Sequence, residues 1–90
     1  MRKAIMTVIG PDRVGIVAAS SALLASLNIN ILDISQTIMG DIFTMTLLVD
    51  LGGANCPFEE ITAAMTAFGE KENLSVRIQR NEIFSAMHRI

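Results

Sequence analysis

The chain has no tryptophan and no tyrosine, and four phenylalanines are its only large aromatics. A platform that stacks bases needs exposed aromatic side chains, so there is little here to build one from. A single cysteine, Cys56, excludes an internal disulfide and agrees with a reducing compartment. A single histidine, His88, cannot make a zinc site, which takes three or four ligands. Seven Lys and Arg stand against nine Asp and Glu, for a net charge of −2. The basic residues are scattered from Arg2 to Arg89, which is not the clustered patch that binds a duplex. No apolar run approaches the length of a membrane span. The opening MRKAIMTVIG has too short an apolar stretch for a secretory signal, because the charged Pro11-Asp12-Arg13 follows at once. There is no Walker loop and no GxGxxG motif. These absences predict a cytoplasmic protein with no cofactor, no metal site, no nucleic-acid partner and no membrane partner.

What the chain does have is apolar side chains, at 51% of 90 residues. That length makes one domain, 1–90, with a thin stability margin when alone. The surplus of apolar surface predicts a homodimer. Lys3 to Ile9 reads as a central strand with apolar groups on both faces, ended by Gly10-Pro11. Val14 or Gly15 opens a helix to about Leu27, with Ile16, Ser20, Leu23 and Leu27 on one stripe. Asn28 is its left-handed stop.

Asn30 to Met39 and Ile42 to Leu51 are two strands joined by a tight turn at Gly40-Asp41. Phe43, Met45, Leu47 and Val49 form the core face of the second of these. Pro57 starts another helix, with Glu59 and Glu60 in its first turn and Phe58, Ile61, Met65 and Phe68 at helical spacing. Gly69 stops that pattern. Leu74 to Arg80 is the last strand. Residues 81–90 form a short helical extension with Ile83, Met87 and Ile90 on one face. The order β-α-β-β-α-β predicts an α+β, ferredoxin-like sandwich, with a four-stranded antiparallel sheet and two helices on one face. The right-handed crossover rule puts the first and third strands in the middle.

The run Gly10-Pro11-Asp12-Arg13-Val14-Gly15-Ile16-Val17 resembles the opening of an ACT domain. The likeness continues through Leu27-Asn28-Ile29-Asn30-Ile31 and Asp33-Ile34-Ser35-Gln36. It is similar to the single-domain type related to the glycine-cleavage repressor and to the N-terminal part of formyltetrahydrofolate deformylase. The resemblance implies a stand-alone regulatory module that binds a small ligand, an amino acid, at a dimer interface and acts through a partner protein. Carried over by position, it implicates Asp12, Gly15, the N–H groups of Ile16 and Val17, and Asn30, the last from another subunit's second strand. Two residues depart from a common pattern. Val14 stands where many relatives have proline, and Asp12 where several have a neutral polar residue. A carboxylate there would repel a ligand carboxylate and attract its amino group.

The residues by themselves support a ligand site in part. A loop between a strand and a helix N-terminus offers N–H groups without internal partners and a favourable dipole. The same residues also fit a structural use, with Asp12 capping the helix, Gly15 serving packing and Asn30 sitting in a turn. Asp33, Ser35 and Thr37 share a strand face and read as a solvated face or polar seam. Cys56 reads as a small loop or core residue, and Met39, Met45, Met65 and Met87 as core filler. No nucleophile has a base beside it, so no catalytic residue is assigned. The alternatives to a ligand-binding regulator are a constitutive interaction module and, behind it, a small enzyme.

Overall fold

The computed structural model describes residues 2–80; the expected helix over 81–90, with His88 and Met87, lies outside the described residues. The element order is β1 (Lys3–Pro11), α1 (Ile16–Ser26), β2 (Asn30–Met39), β3 (Ile42–Asp50), α2 (Phe58–Glu72) and β4 (Ser75–Arg80). The four strands form one antiparallel sheet in the order β2-β3-β1-β4. This is the ferredoxin-like arrangement, with β1 and β3 in the middle as expected for this element order.

Strand alternation decides the core. Ala4, Met6 and Val8 of β1 and Phe43, Met45, Leu47 and Val49 of β3 are buried on the face that meets the helices. The pairing Met6↔Leu47 and Val8↔Met45 sets these side chains beside one another. Ile61 and Met65 of α2 and Ile16 and Leu24 of α1 close the core from above. The opposite face carries Ile5, Thr7 and Ile9 of β1 and Thr44, Thr46 and Leu48 of β3. Ile9 there is 42% exposed.

Several boundaries and assignments differ from the sequence reading. β1 continues to Pro11, which pairs with Ile42 beyond the end of β4. Proline is tolerated there because only one neighbour remains to be bonded. Leu24 is fully buried in α1, while Leu23 and Leu27 pack only partly against the core. α2 runs through Gly69 to Glu72, and Asn73 in the left-handed conformation (φ 60°) ends it. Gly69 is buried inside the helix because the chain folds back onto it. The Leu74 N–H donates to the Gly69 carbonyl at 2.8 Å, and a Cβ on Gly69 would lie 2.6 Å from the Leu74 oxygen. Met39 is not core: it sits at the end of an edge strand and is 76% exposed. Asn28 does adopt the left-handed conformation after α1 (φ 57°). Cys56 is half-buried against the core.

Candidate functional site

The segment between β1 and α1 is fixed at both ends. Pro11 ends the ladder with β3, and the Asp12 N–H donates to the Asp41 carbonyl at 2.8 Å. The loop is thereby pinned to the β2–β3 turn. Arg13 reaches across to the end of α2, where its Nη2 donates to the Glu72 carboxylate at 2.6 Å and to the Glu72 carbonyl at 3.1 Å. That carbonyl is one of the helix's unpaired C-terminal acceptors, so the guanidinium meets both the charge and the dipole it favours. Val14 forms the tip and is 98% exposed.

Gly15 makes the turn into α1. Its φ of 94° lies in the region that excludes most side chains. Its carbonyl accepts the first helical bond, from the Ala19 N–H at 2.9 Å. No atom lies within 4 Å of where a Cβ would stand, so the space above Gly15 is open. Gly15 occupies the N-cap position, and no side chain caps the helix. Asp12 therefore does not cap α1, which answers one of the alternatives left by the sequence. The first turn of α1 contains no acidic residue, whereas α2 has Glu59 and Glu60 there. The first turn of α1 therefore sets no acidic side chain of its own against the partial positive charge of the helix end. Ile16 buries its side chain in the core and has only its N–H to offer here; Val17 is 36% exposed.

Asn30 is elsewhere. It opens β2, at the far end of α1, and eleven residues of helix place it roughly 16 Å from Gly15. It lies opposite Asp50 in the β2–β3 register. Together with Ala25, Asn28, Ile29 and Gly53 these two line a shallow groove of about 390 Å³. The groove floor is stitched together: the Asn28 Nδ2 donates to the Gly53 carbonyl at 2.6 Å, and the Gly52 N–H donates to Asp50 at 2.9 Å. So one chain brings together Asp12, Gly15, Ile16 and Val17 but not Asn30. Asp33, Ser35 and Thr37 face away from the helices on an exposed strand.

Sequence reasoning gave no contact to Arg13 or Asp50 and gave Asp41 only its place in the β2–β3 turn. Arg13 sits inside the loop motif, but its partner is 59 residues away and carries no local signal. Among the described residues no three His, Cys, Asp or Glu could together hold a metal ion, and no helix is long and apolar enough to cross a membrane.

A protein-family model for the ACT domain matches residues 2–79. The chain is 49% identical over 88 residues to a UPF0237 protein of Listeria innocua, covering 98% of this chain and 99% of that one. Among solved structures it is similar to an ACT domain protein from Streptococcus pneumoniae. The identity is 41%, the TM-score 0.82, and 92% and 93% of the two chains are covered. It is also similar to part of a formyltetrahydrofolate deformylase from Pseudomonas syringae, at 29% identity and a TM-score of 0.81. There it covers 89% of this chain and 28% of that one. With the βαββαβ sheet and the loop motif in place, the chain belongs to the ACT domain family.

Proposed function

We propose that this domain is a regulatory module that binds a small ligand, an amino acid, at a dimer interface and passes the signal to a partner protein. The observation that carries this reading is the pairing of opposite polarities in one loop. The uncapped N-terminus of α1 favours a carboxylate. The Asp12 carboxylate, three residues before Gly15, has no hydrogen-bond partner among the described residues and favours an ammonium group. An amino acid carries both. The open space above Gly15 leaves room for it.

Asn30 joins the site only if a second subunit brings it, since within one chain it stands at the wrong end of α1. An amide side chain there supplies a donor and an acceptor. The arrangement speaks for binding rather than catalysis: no nucleophile and base stand together at the loop. It also speaks against base stacking, because Phe43 is buried in the core. We place the protein in the cytoplasm on the grounds of its composition.

A thermal-shift screen against the twenty amino acids and common one-carbon metabolites tests the proposal. A rise in melting temperature with one amino acid, lost in Gly15→Val, is the expected result. No shift with any of them would leave an interaction module without a ligand.

A further inference from the structure

An antiparallel sheet with its helices on one face commonly turns polar side chains to water on the other. The middle of this sheet does not. On the face away from the helices β1 presents Lys3, Ile5, Thr7, Ile9 and Pro11, and β3 presents Ile42, Thr44, Thr46, Leu48 and Asp50. Lys3 and Asp50 pair at one end of this strip. From Ile5 to Pro11 and from Ile42 to Leu48 it holds no charge. Charge returns on the flanking strands, as Asp33 of β2 and Arg77 of β4. Ile9 and Ile42 are 42% and 53% exposed.

The strip has the dimensions of one short helix. Two adjacent strands make it about 10 Å wide, the diameter of a helix, and from Ile5 to Ile9 it runs about 14 Å. A hollow marks each end. Ile5, Asp33, Ile34, Ser35, Thr46 and Leu48 line one of about 260 Å³. Ile9, Gly10, Pro11, Asp41 and Ile42 line the other, of about 280 Å³.

β4 ends at Arg80, opposite Ala4, so the chain leaves the sheet beside the Ile5 end of the strip. The residues that follow, 81–90, read NEIFSAMHRI. Ile83, Met87 and Ile90 recur at helical spacing, and ten residues of helix run about 15 Å, the length of the strip. We propose that residues 81–90 turn back under the sheet and cover the strip of their own chain, antiparallel to β4, with Ile83, Met87 and Ile90 against its apolar side chains. Seven residues of helix beyond Arg80, about 10 Å, bring Met87 level with Thr7 and Thr46, which face each other across β1 and β3. The charges fall the same way. Glu82 comes at the end that carries Lys3, and His88 and Arg89 come at the end where Asp12 and Asp41 meet. The cover thereby ends at Asp41, whose carbonyl anchors the β1–α1 loop. It goes beyond the proposed function and does not depend on any ligand.

Disulfide trapping in the full chain tests this. Two proteins, each also carrying Cys56→Ser, combine Met87→Cys with either Thr46→Cys or Thr62→Cys. Thr46 lies on the strip, and Thr62 is exposed on α2. A disulfide needs Cα atoms within about 7 Å. With oxidised glutathione, the Thr46 protein is expected to close a bond within a single chain, and the Thr62 protein is not. Non-reducing electrophoresis reads the outcome, and far-UV circular dichroism checks that both proteins fold. The second measurement uses Met87→Lys in the otherwise native chain. Its amide shifts are expected to move at Thr7, Ile9, Thr44 and Thr46. A bond that joins two chains puts the segment on a second copy and overturns the proposal. A bond in the Thr62 protein alone puts it along α2 and overturns it too. Unmoved amides at those four residues show a bare strip, with the same result. None of these outcomes touches the β1–α1 loop as a ligand site.

Discussion

Replacing Gly15 by alanine separates backbone strain from steric filling at the centre of the proposed site. Gly15 sits at φ 94° with no atom within 4 Å of a would-be Cβ. The substitution therefore meets no clash, and its whole effect comes from forcing an L-residue into a left-handed conformation. That strain costs about 1–2 kcal/mol. Against it stands the reduced freedom of the unfolded chain, which returns about 0.4–1 kcal/mol. The net loss works out near 1 kcal/mol, a drop of roughly 4–8 °C in melting temperature for a domain this size. Asparagine tolerates this region better than alanine does, so Gly15→Asn should lose less. Thermal and urea unfolding of the three proteins reads both differences. A loss above about 3 kcal/mol would mean that the position is packed rather than open. Equal losses for alanine and asparagine would mean that φ is not what glycine is there for.

Gly69→Ala has the opposite balance. The helix interior gains about 1 kcal/mol of propensity, but the new methyl meets the Leu74 carbonyl, so a net loss of roughly 1–3 kcal/mol is expected in urea unfolding. Leu24→Ala should lose about 2–5 kcal/mol and Leu23→Ala clearly less, because only Leu24 is fully buried. Arg13→Ala should change stability by no more than about 1 kcal/mol, since the pair with Glu72 is partly exposed at 41% and 22%. Asp12→Ala should leave stability within about 0.5 kcal/mol. If Asp12 holds an ammonium group, the same change should weaken amino-acid binding by about 1 kcal/mol or more, read by calorimetry.

The strand faces were legible because alternation is local: Met6, Val8, Met45 and Leu47 declare themselves by spacing. The element order and the loop motif then led to the family. What was not legible was set by three-dimensional packing. Gly69 looks like a helix stop, and only the Leu74 carbonyl oxygen, 2.6 Å from where a Cβ would stand, shows why glycine lies inside the helix. Met39 has the composition of a core residue but stands at the end of an edge strand, paired with Ile42 on the face away from the helices. Leu23 and Leu24 are neighbours on the helix, and which one is buried depends on how α1 is rotated against the sheet. Asp12 is a cap by sequence spacing, but its N–H bonds to Asp41, and Gly15 takes the cap position. Asn30 falls close to the loop motif in the family pattern. The helix between them sets the two apart, which only a three-dimensional arrangement reveals.

Amide chemical shifts test the central claim most directly. Isotope-labelled protein, at a concentration where it is dimeric, would be titrated with the twenty amino acids in small pools and then singly. The expected result is a saturable shift with one amino acid, largest at Gly15, Ile16 and Val17 and accompanied by Asn30. Shifts confined to Asn28, Asp50 and Gly53, or to residues of the β4–α2 side, would place the ligand elsewhere and contradict the loop as the binding site.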